Sequence, residues 1–136
     1  MPKILGVDYG RKNVGLSISD EDEKYAFEFK TVNSDNDREA VELIKESLEG
    51  ERIYKIIVGL PLDQYGGEGE AANHVREFGN LLAGHFDLPV DYIDERFSTM
   101  LVKQQAHEAG KNIKSIKKTK DQKSAQLILQ TYLFPL

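Results

Sequence analysis

Three short segments near the start of the chain carry strand patterns, and the connectors between them are too short to let those strands run parallel. KILGV (3–7) is an apolar run, whereas NVGLSIS (13–19) and YAFEFKTV (25–32) alternate apolar and polar side chains, as half-buried strands do. A parallel crossover needs about a dozen residues or more. The sequence therefore predicts a three-stranded antiparallel meander, in which Tyr25, Phe27 and Phe29 share one face of the third strand.

Helical and strand patterns alternate over the rest of the chain. The predicted elements are a helix over 37–50, a strand over 54–62, a helix with inward positions from Ala72 to Phe86, a strand over 88–94, a helix over 98–110 and a last helix over 121–134. The strand over 54–62 is almost uniformly apolar, as expected in a sheet that is covered on both faces. The order predicts an α/β fold in which two parallel strands extend the meander and helices cover both faces.

Length and composition exclude several classes of protein. A chain of 136 residues can bury its own core, so we expect 1–136 to form a single domain. There is no cysteine, which excludes disulfides, thiol nucleophiles and thiolate metal sites. No apolar run approaches the roughly 20 residues of a membrane span, and Asp8 interrupts the first apolar segment too early for a signal peptide. We therefore expect a cytoplasmic protein with no membrane partner.

Acidic residues follow two strands that are predicted to end at the same edge of the sheet. Asp8 comes directly after the first strand, between Gly6 and Gly10, and the strand over 88–94 runs into Asp94 and Glu95. Ligand sites in open α/β sheets lie beyond the carboxyl ends of the parallel strands. The two acidic segments are therefore predicted to meet there, although a surface ion-pair cluster would also explain the triplet DER.

Asp121 is the third acidic residue of interest. Ala125, Leu129 and Leu133 follow it at steps of four, so Asp121 extends the stripe of the last helix that faces the sheet. Aspartate is also a preferred N-cap residue, and spacing alone leaves capping and metal binding as alternatives. Three carboxylates that lie close together repel one another unless a cation neutralises them, and oxygen ligands suit Mg²⁺ or Mn²⁺.

Positive charge is concentrated in one segment, although the formal net charge is −5. KNIKSIKKTKDQK (111–123) contains six lysines and one aspartate, against 12 basic and 22 acidic residues elsewhere. Such asymmetry occurs in phosphate-binding loops, but a solvated lysine-rich loop gives the same pattern and is its more frequent cause. The residues predicted to contact nucleic acid are Arg11, Lys12, Arg96, Lys111, Lys114, Lys117, Lys118 and Lys120.

Four motifs occur in a fixed order along the whole chain: GVDYGRKNVGLSISD, IIVGLPLDQYGGEG, DERFST and DQKSAQLILQTYL. They resemble the strand–turn–strand opening, the VGLP strand with its glycine loop, the DER motif and the closing helix of the YqgF/RuvX family, in the ribonuclease H-like superfamily. Each fragment is short, but four in the right order make the resemblance specific.

This resemblance implies a ribonuclease H-like three-layer α/β/α fold around a five-stranded mixed sheet. It implies a divalent-metal-dependent nuclease that processes the 5′ end of pre-16S rRNA in ribosome biogenesis, or a Holliday junction resolvase as in some members. Carried over by position, Asp8, Glu95 and Asp121 would be the catalytic and metal-binding residues of a two-metal Mg²⁺ or Mn²⁺ site. The implied partners are an rRNA precursor or branched DNA and ribosome-associated factors, for a monomer or homodimer.

Two other functions compete with the nuclease. The turn DYGRKNVG also resembles the phosphate loop of actin-like sugar kinases and ATPases, but that class closes a nucleotide between two such domains. A non-catalytic RNA-binding factor would use the lysines and keep the acidic residues as a structural remnant. Lysines bind phosphate rather than bases, so the sequence leaves RNA and junction DNA open as substrates.

Overall fold

The computed structural model describes the backbone of residues 2–95 and 113–134, and the side chains of these residues apart from 113–120. Its elements are β1 (Lys3–Tyr9), β2 (Asn13–Ser19), β3 (Ala26–Asn33), α1 (Asp37–Ser47), β4 (Ile53–Leu60), α2 (Glu70–Phe86), β5 (Val90–Asp94) and α3 (Ile113–Leu133). The predicted α/β class is confirmed. The helix predicted over 98–110 lies outside the described residues.

The five strands form one mixed sheet in the order β3-β2-β1-β4-β5. β2 pairs antiparallel with both β1 and β3, which confirms the predicted meander. β4 pairs parallel with β1, and β5 pairs parallel with β4. The carboxyl ends of β1, β4 and β5 therefore lie at one edge of the sheet, which is hereafter called the carboxyl edge.

Apolar side chains cover both faces of the sheet, so the fold has three layers. Leu5 and Val7 of β1 pack in a large cluster that includes Ile44 of α1 and Phe78 of α2. On the opposite face, Ile4 belongs to a smaller cluster that contains Ile57, Ile128 and Leu129. The second face, against which α3 packs, is called the α3 face below. Adjacent residues of each strand point to opposite faces.

α3 lies unusually close to the middle strands because a glycine faces it. A Cβ atom at Gly6 would lie 2.8 Å from the Cβ of Leu129. Ser17, on the neighbouring strand, donates a hydrogen bond of 2.6 Å to the backbone carbonyl of Ala125 in α3. The glycine and the buried hydroxyl group together hold this helix against β1 and β2.

Several predicted boundaries and faces differ from the structure. β1 continues to Tyr9, so Asp8 lies within the strand and does not follow it. The first helix ends at Ser47, before Gly50, whose positive φ of 90° suits a turn. Tyr25 and Phe27 are exposed, whereas Phe29 packs against the core. The pairing register of β3 shifts opposite Leu16 and Ser17, and such a bulge interrupts the alternation predicted for this strand.

The prediction of a lysine-rich loop ahead of the last helix is wrong. Helical backbone begins at Ile113, so α3 includes most of the lysine-rich segment. Residues 111–123 contain neither proline nor glycine, and lysine is a good helix former. Asp121 is consequently inside α3, and the alternative that it caps the helix N-terminus is also wrong.

Candidate active site

Asp8 lies on the α3 face near the carboxyl edge. It is two residues after Gly6, which contacts α3, and side chains at this spacing share a face. Its partner across the antiparallel pair is Gly15 of β2. A charged group in a strand interior is unfavourable unless it has partners, and the structure supplies one in Glu95.

Glu95 reaches Asp8 from the other side of β4. Its backbone amide donates a hydrogen bond of 3.2 Å to the carbonyl of Leu60, which fixes the residue just beyond β5. Its side chain forms a hydrogen bond with the side chain of Asp8. A Cβ atom at Gly59 would lie only 2.8 Å from Oε2 of Glu95, so the glycine leaves room for the carboxylate. The structure therefore brings together two of the three predicted acidic residues.

Burial raises the pKa of Glu95 above its ordinary value, because water is excluded from the charged form. The hydrogen bond from Asp8 lowers this pKa in part, and the negative charge of Asp94 raises it further. Asp94 pairs with Leu60 in the sheet and points away from the α3 face. The pair of acids is thus strained electrostatically, and it would gain from a cation.

Asp121 approaches the same face from α3. A Cβ atom at Gly15 would lie 2.9 Å from the Cβ of Asp121. Cβ positions of directly opposed residues in an antiparallel pair are about 4.5–5.5 Å apart, and Gly15 is opposite Asp8. The Cβ atoms of Asp8 and Asp121 are therefore within about 8 Å of each other, with Gly15 beneath them.

The donor set fits a divalent cation in its chemistry, and two of its members are already in contact. Within residues 2–95 and 121–134, however, no three acidic or histidine side chains are arranged as a ready metal-binding cluster. Asp121 adds a third carboxylate nearby without completing such a cluster with Asp8 and Glu95. Carboxylate oxygens are the ligands that Mg²⁺ and Mn²⁺ prefer in proteins, and such an ion neutralises their repulsion.

Sequence reasoning missed Gly15 and Gly59 as parts of this site. Both lie inside strands, and each occupies the position where a side chain would collide with an acidic residue of the site. A glycine inside a strand pattern is a known sign of close approach by another group. That signal was present in NVGLSIS and IIVGLPL.

The structure describes only some of the residues that are predicted to contact nucleic acid. Arg11 and Lys12 are exposed in the β1–β2 turn at the carboxyl edge. The backbone carbonyl of Lys12 accepts a hydrogen bond of 2.9 Å from the amide of Ser34, which ties the turn to the end of β3. Arg96, Lys111 and the side chains of Lys114, Lys117, Lys118 and Lys120 lie outside the described residues.

Tyr9 anchors the same edge on the opposite face. Its hydroxyl group donates a hydrogen bond of 2.7 Å to Oδ1 of Asp37, in the first turn of α1. Its ring packs against Phe78, with 4.6 Å between the ring centroids. Burial, followed by the Asp37 hydrogen bond, raises the pKa of Tyr9 to about 12. The residue beside Asp8 is therefore held rigidly.

None of the described helices is both long enough and apolar enough to cross a membrane.

Known proteins resemble this chain over nearly its full length. The family model described as "RuvX: Holliday junction resolvase" matches residues 2–134. A "Putative pre-16S rRNA nuclease" from Maridesulfovibrio salexigens is 35% identical over 131 residues, which is 96% of this chain and 97% of that protein. A protein of the same name from Lactococcus lactis is 39% identical over 138 residues, with 96% of this chain and 93% of that protein covered.

Solved structures share the fold at low sequence identity. RuvC from Thermus thermophilus superimposes with a TM-score of 0.57 at 17% identity, and the match covers 97% of this chain and 94% of that one. A ROK family protein from Streptococcus pneumoniae in complex with sucrose gives a TM-score of 0.51 at 14% identity, over 78% of this chain and 39% of that one. The sheet is thus that of RuvC-type resolvases, which confirms the predicted ribonuclease H-like architecture.

Proposed function

Because the chain belongs to the RuvX family, we propose that it is a metal-dependent endonuclease that hydrolyses phosphodiester bonds in structured nucleic acid, with the 5′ end of pre-16S rRNA as its substrate. The proposal takes its substrate from the names of the relatives, and its chemistry from the acidic residues at the carboxyl edge. A ribosomal RNA substrate would place the activity in the cytoplasm. The chain would act as a single domain, either as a monomer or as a homodimer, together with ribosome-associated factors.

The observation that carries the proposal is the hydrogen-bonded pair Asp8–Glu95. Two half-buried carboxyl groups in contact, one with a raised pKa, are costly for folding. A raised pKa means that the charged form of Glu95 lowers stability, so stability does not account for the pair. Perturbed carboxyl groups at the ligand edge of an α/β sheet are typical of functional sites.

In the proposed site, Asp8, Glu95 and Asp121 would hold Mg²⁺ or Mn²⁺, as a pair of ions. Bound ions of this kind activate a water molecule and stabilise the leaving oxygen in phosphodiester hydrolysis. The protein's own contribution is to keep the carboxylates together: β1 and the end of β5 position the pair, and α3 positions Asp121. Arg11, Lys12, Arg96 and the lysines over 111–120 would bind phosphates of the substrate.

The proposal is tested with Asp8→Asn and a matched control, Asp22→Asn in the exposed β2–β3 turn. Precursor rRNA ends, four-way junctions and linear duplex are each incubated with Mn²⁺ and the wild type or a variant. We expect Asp8→Asn to lower cleavage by more than the roughly 10- to 100-fold that loss of an outer-shell partner of a metal ligand costs, with a melting temperature no lower than that of the wild type. Cleavage by Asp8→Asn at the rate of Asp22→Asn would refute the proposal.

The same panel separates the competing functions. Cleavage of four-way junctions in preference to rRNA ends would favour the resolvase activity that the family description names. A non-catalytic RNA-binding factor would cut none of the substrates and would show salt-sensitive RNA affinity without a Mn²⁺ response. The kinase alternative predicts saturable ATP binding, but this chain spans 39% of the ROK protein that it superimposes on, and that likeness concerns the fold alone.

A further inference from the structure

A cavity of about 390 Å³ opens beside the carboxylate pair, on the side of the carboxyl edge away from α3. Its walls come from the end of β1 and the β1–β2 turn, from Pro61 after β4, from the first turns of α2 and from Glu95. Its size is within the range of pockets that bind small ligands. Of the three proposed metal ligands, only Glu95 lines this cavity.

We propose that this cavity binds one unpaired nucleotide of the substrate, next to the phosphodiester that is cut. The inference rests on the proposed nuclease function, because Glu95 belongs both to the cavity wall and to the proposed metal site. A nucleotide held here would have its phosphate close to the reacting group and its base between α2 and Pro61. The cavity would accept a single base rather than a base pair.

Arg11 provides the contact for the phosphate. It lines the cavity from the exposed β1–β2 turn, whereas its neighbour Lys12 does not. A guanidinium group is always charged and presents several donors in a plane that matches phosphate oxygens. Glu70 lines the cavity too, so the walls carry both signs of charge, and the phosphate would bind at the Arg11 end.

His74 and Pro61 provide surfaces for the base. Nε2 of His74 lies 3.7 Å from Oε1 of Glu70, and its Nδ1 lies 4.0 Å from Oε2 of Glu77. Neighbours on its own helix therefore orient the imidazole ring. Imidazole rings are among the side chains on which unstacked bases pack. Ala71, one turn before Val75, has a small side chain, which leaves room in the cavity for a flat ring. These features suit a nucleotide better than an inorganic anion, which would need only the cationic end.

A rigid wall limits what the cavity can admit. Tyr9 lines it while its ring packs on Phe78 and its hydroxyl group is bonded to Asp37. Such a wall cannot rotate away to admit a second base. Enzymes that act on a flipped or unpaired base use pockets of this kind, and duplex substrates then carry the cost of unpairing.

Two pairs of matched variants test the inference in an Asp8→Asn background, so that bound substrate stays intact. Ala71→Trp fills the cavity, and Asn73→Trp puts the same side chain at an exposed position of α2 outside it. Arg11→Gln and Lys12→Gln each remove one positive charge from the same turn, but only the first alters the cavity. Affinity is measured by fluorescence anisotropy with a labelled duplex that carries a single-stranded 5′ extension and with the blunt duplex.

We expect Ala71→Trp to weaken binding of the extended substrate by about tenfold relative to Asn73→Trp, as loss of one base stack would. Arg11→Gln should weaken binding of the extended substrate more than Lys12→Gln does. For the blunt duplex, each cavity variant and its control should have the same affinity. Equal affinities of Ala71→Trp and Asn73→Trp for the extended substrate, with melting temperatures like that of the parent, would overturn the inference.

The result also separates this inference from the proposed function. If the wild type cleaves but the cavity variants bind the extended substrate like their controls, the nuclease stands and the nucleotide site fails. If the wild type cleaves none of the substrates but Ala71→Trp still weakens binding selectively, the proposed catalysis fails and the binding site stands. Backbone amide NMR spectra of each variant show whether α2 has kept its fold.

Discussion

The side chains of Asp8, in β1, and Glu95, directly after β5, form a hydrogen bond although these two strands do not pair with each other. β4 lies between β1 and β5, and Gly59 is the β4 residue beside the contact. A side chain at position 59 would collide with Oε2 of Glu95. The contact across the sheet therefore depends on the absence of a side chain in the middle strand as much as on the two acids.

Glu95→Gln should make the metal-free protein more stable at neutral pH. The folded-state pKa of Glu95 is raised by burial, so its contribution to stability is fully present below its unfolded pKa and is lost as pH rises through the folded value. Glutamine is neutral at every pH and avoids that loss. We expect the melting temperature of the variant to exceed that of the wild type at pH 8, and the difference to shrink toward pH 4.

Thermal melts in EDTA over this pH range measure the effect of Glu95→Gln. Added Mn²⁺ should raise the melting temperature of the wild type more than that of the variant, since one proposed ligand is missing. A variant that is less stable than the wild type at pH 8 would show that the pair stabilises the fold, and would remove the main physical reason for proposing a site there.

Gly15→Ala should destabilise the protein and disturb the position of Asp121. The added Cβ would lie 2.9 Å from the Cβ of Asp121 and even closer to its backbone carbonyl. Overpacking of this kind costs about 1–3 kcal/mol, and α3 must move to relieve it. The expected result is a lower free energy of unfolding, together with weaker stabilisation by Mn²⁺.

Gly84→Ala is the matched control for Gly15→Ala. Nothing lies within 4 Å of a Cβ atom at Gly84 in α2, so alanine should stabilise the helix there by about 1 kcal/mol. Chemical denaturation of both variants measures the two changes. Opposite signs are expected, and an unchanged stability of Gly15→Ala would mean that α3 does not lie against β2 as described.

Thr31→Val and Ser17→Ala should change stability in opposite directions. Among the described residues, the buried Oγ1 of Thr31 has no hydrogen-bond partner, and an unsatisfied buried group costs about 1–3 kcal/mol. Valine has nearly the same shape without the hydroxyl group, so we expect a gain of about 1 kcal/mol.

Ser17 is the matched case, because its hydroxyl group is buried but donates to the carbonyl of Ala125. Its removal should cost about 0.5–1.5 kcal/mol, the usual net value of such a bond. Urea denaturation at pH 7 measures both variants. A loss of stability in Thr31→Val would reveal a partner for that hydroxyl group in solution.

Tyr9→Phe should lower the free energy of unfolding by about 1 kcal/mol, because it removes the hydrogen bond to Asp37. The pKa of Tyr9 is raised from 10.0 to about 12, so its contribution is present below pH 10 and is lost as pH rises through 12. The difference between variant and wild type should therefore narrow from pH 8 to pH 11. Ultraviolet titration of the tyrosines should show one high-pH transition fewer in the variant.

Local patterns in the sequence determined the layers and the connectivity. Period-two alternation in NVGLSIS and the short connector YGRKN required an antiparallel pair, because side-chain direction and chain reach are local properties. The motifs also indicated which acidic residues to examine. Tertiary structure was needed for the end of β1, which lies beyond Asp8 because Gly15 pairs with it.

Only the tertiary structure decided which acidic residues meet. Asp8 contacts Glu95 because strand register and Gly59 bring them together, while Asp121 is held nearby by the packing of α3 over Gly15. The last helix predicted from the sequence was too short at its N-terminal end, because lysine is compatible with either a loop or a helix and tertiary packing decides between them. Contacts between residues far apart in the chain depend on register and close approach, which no local pattern contains.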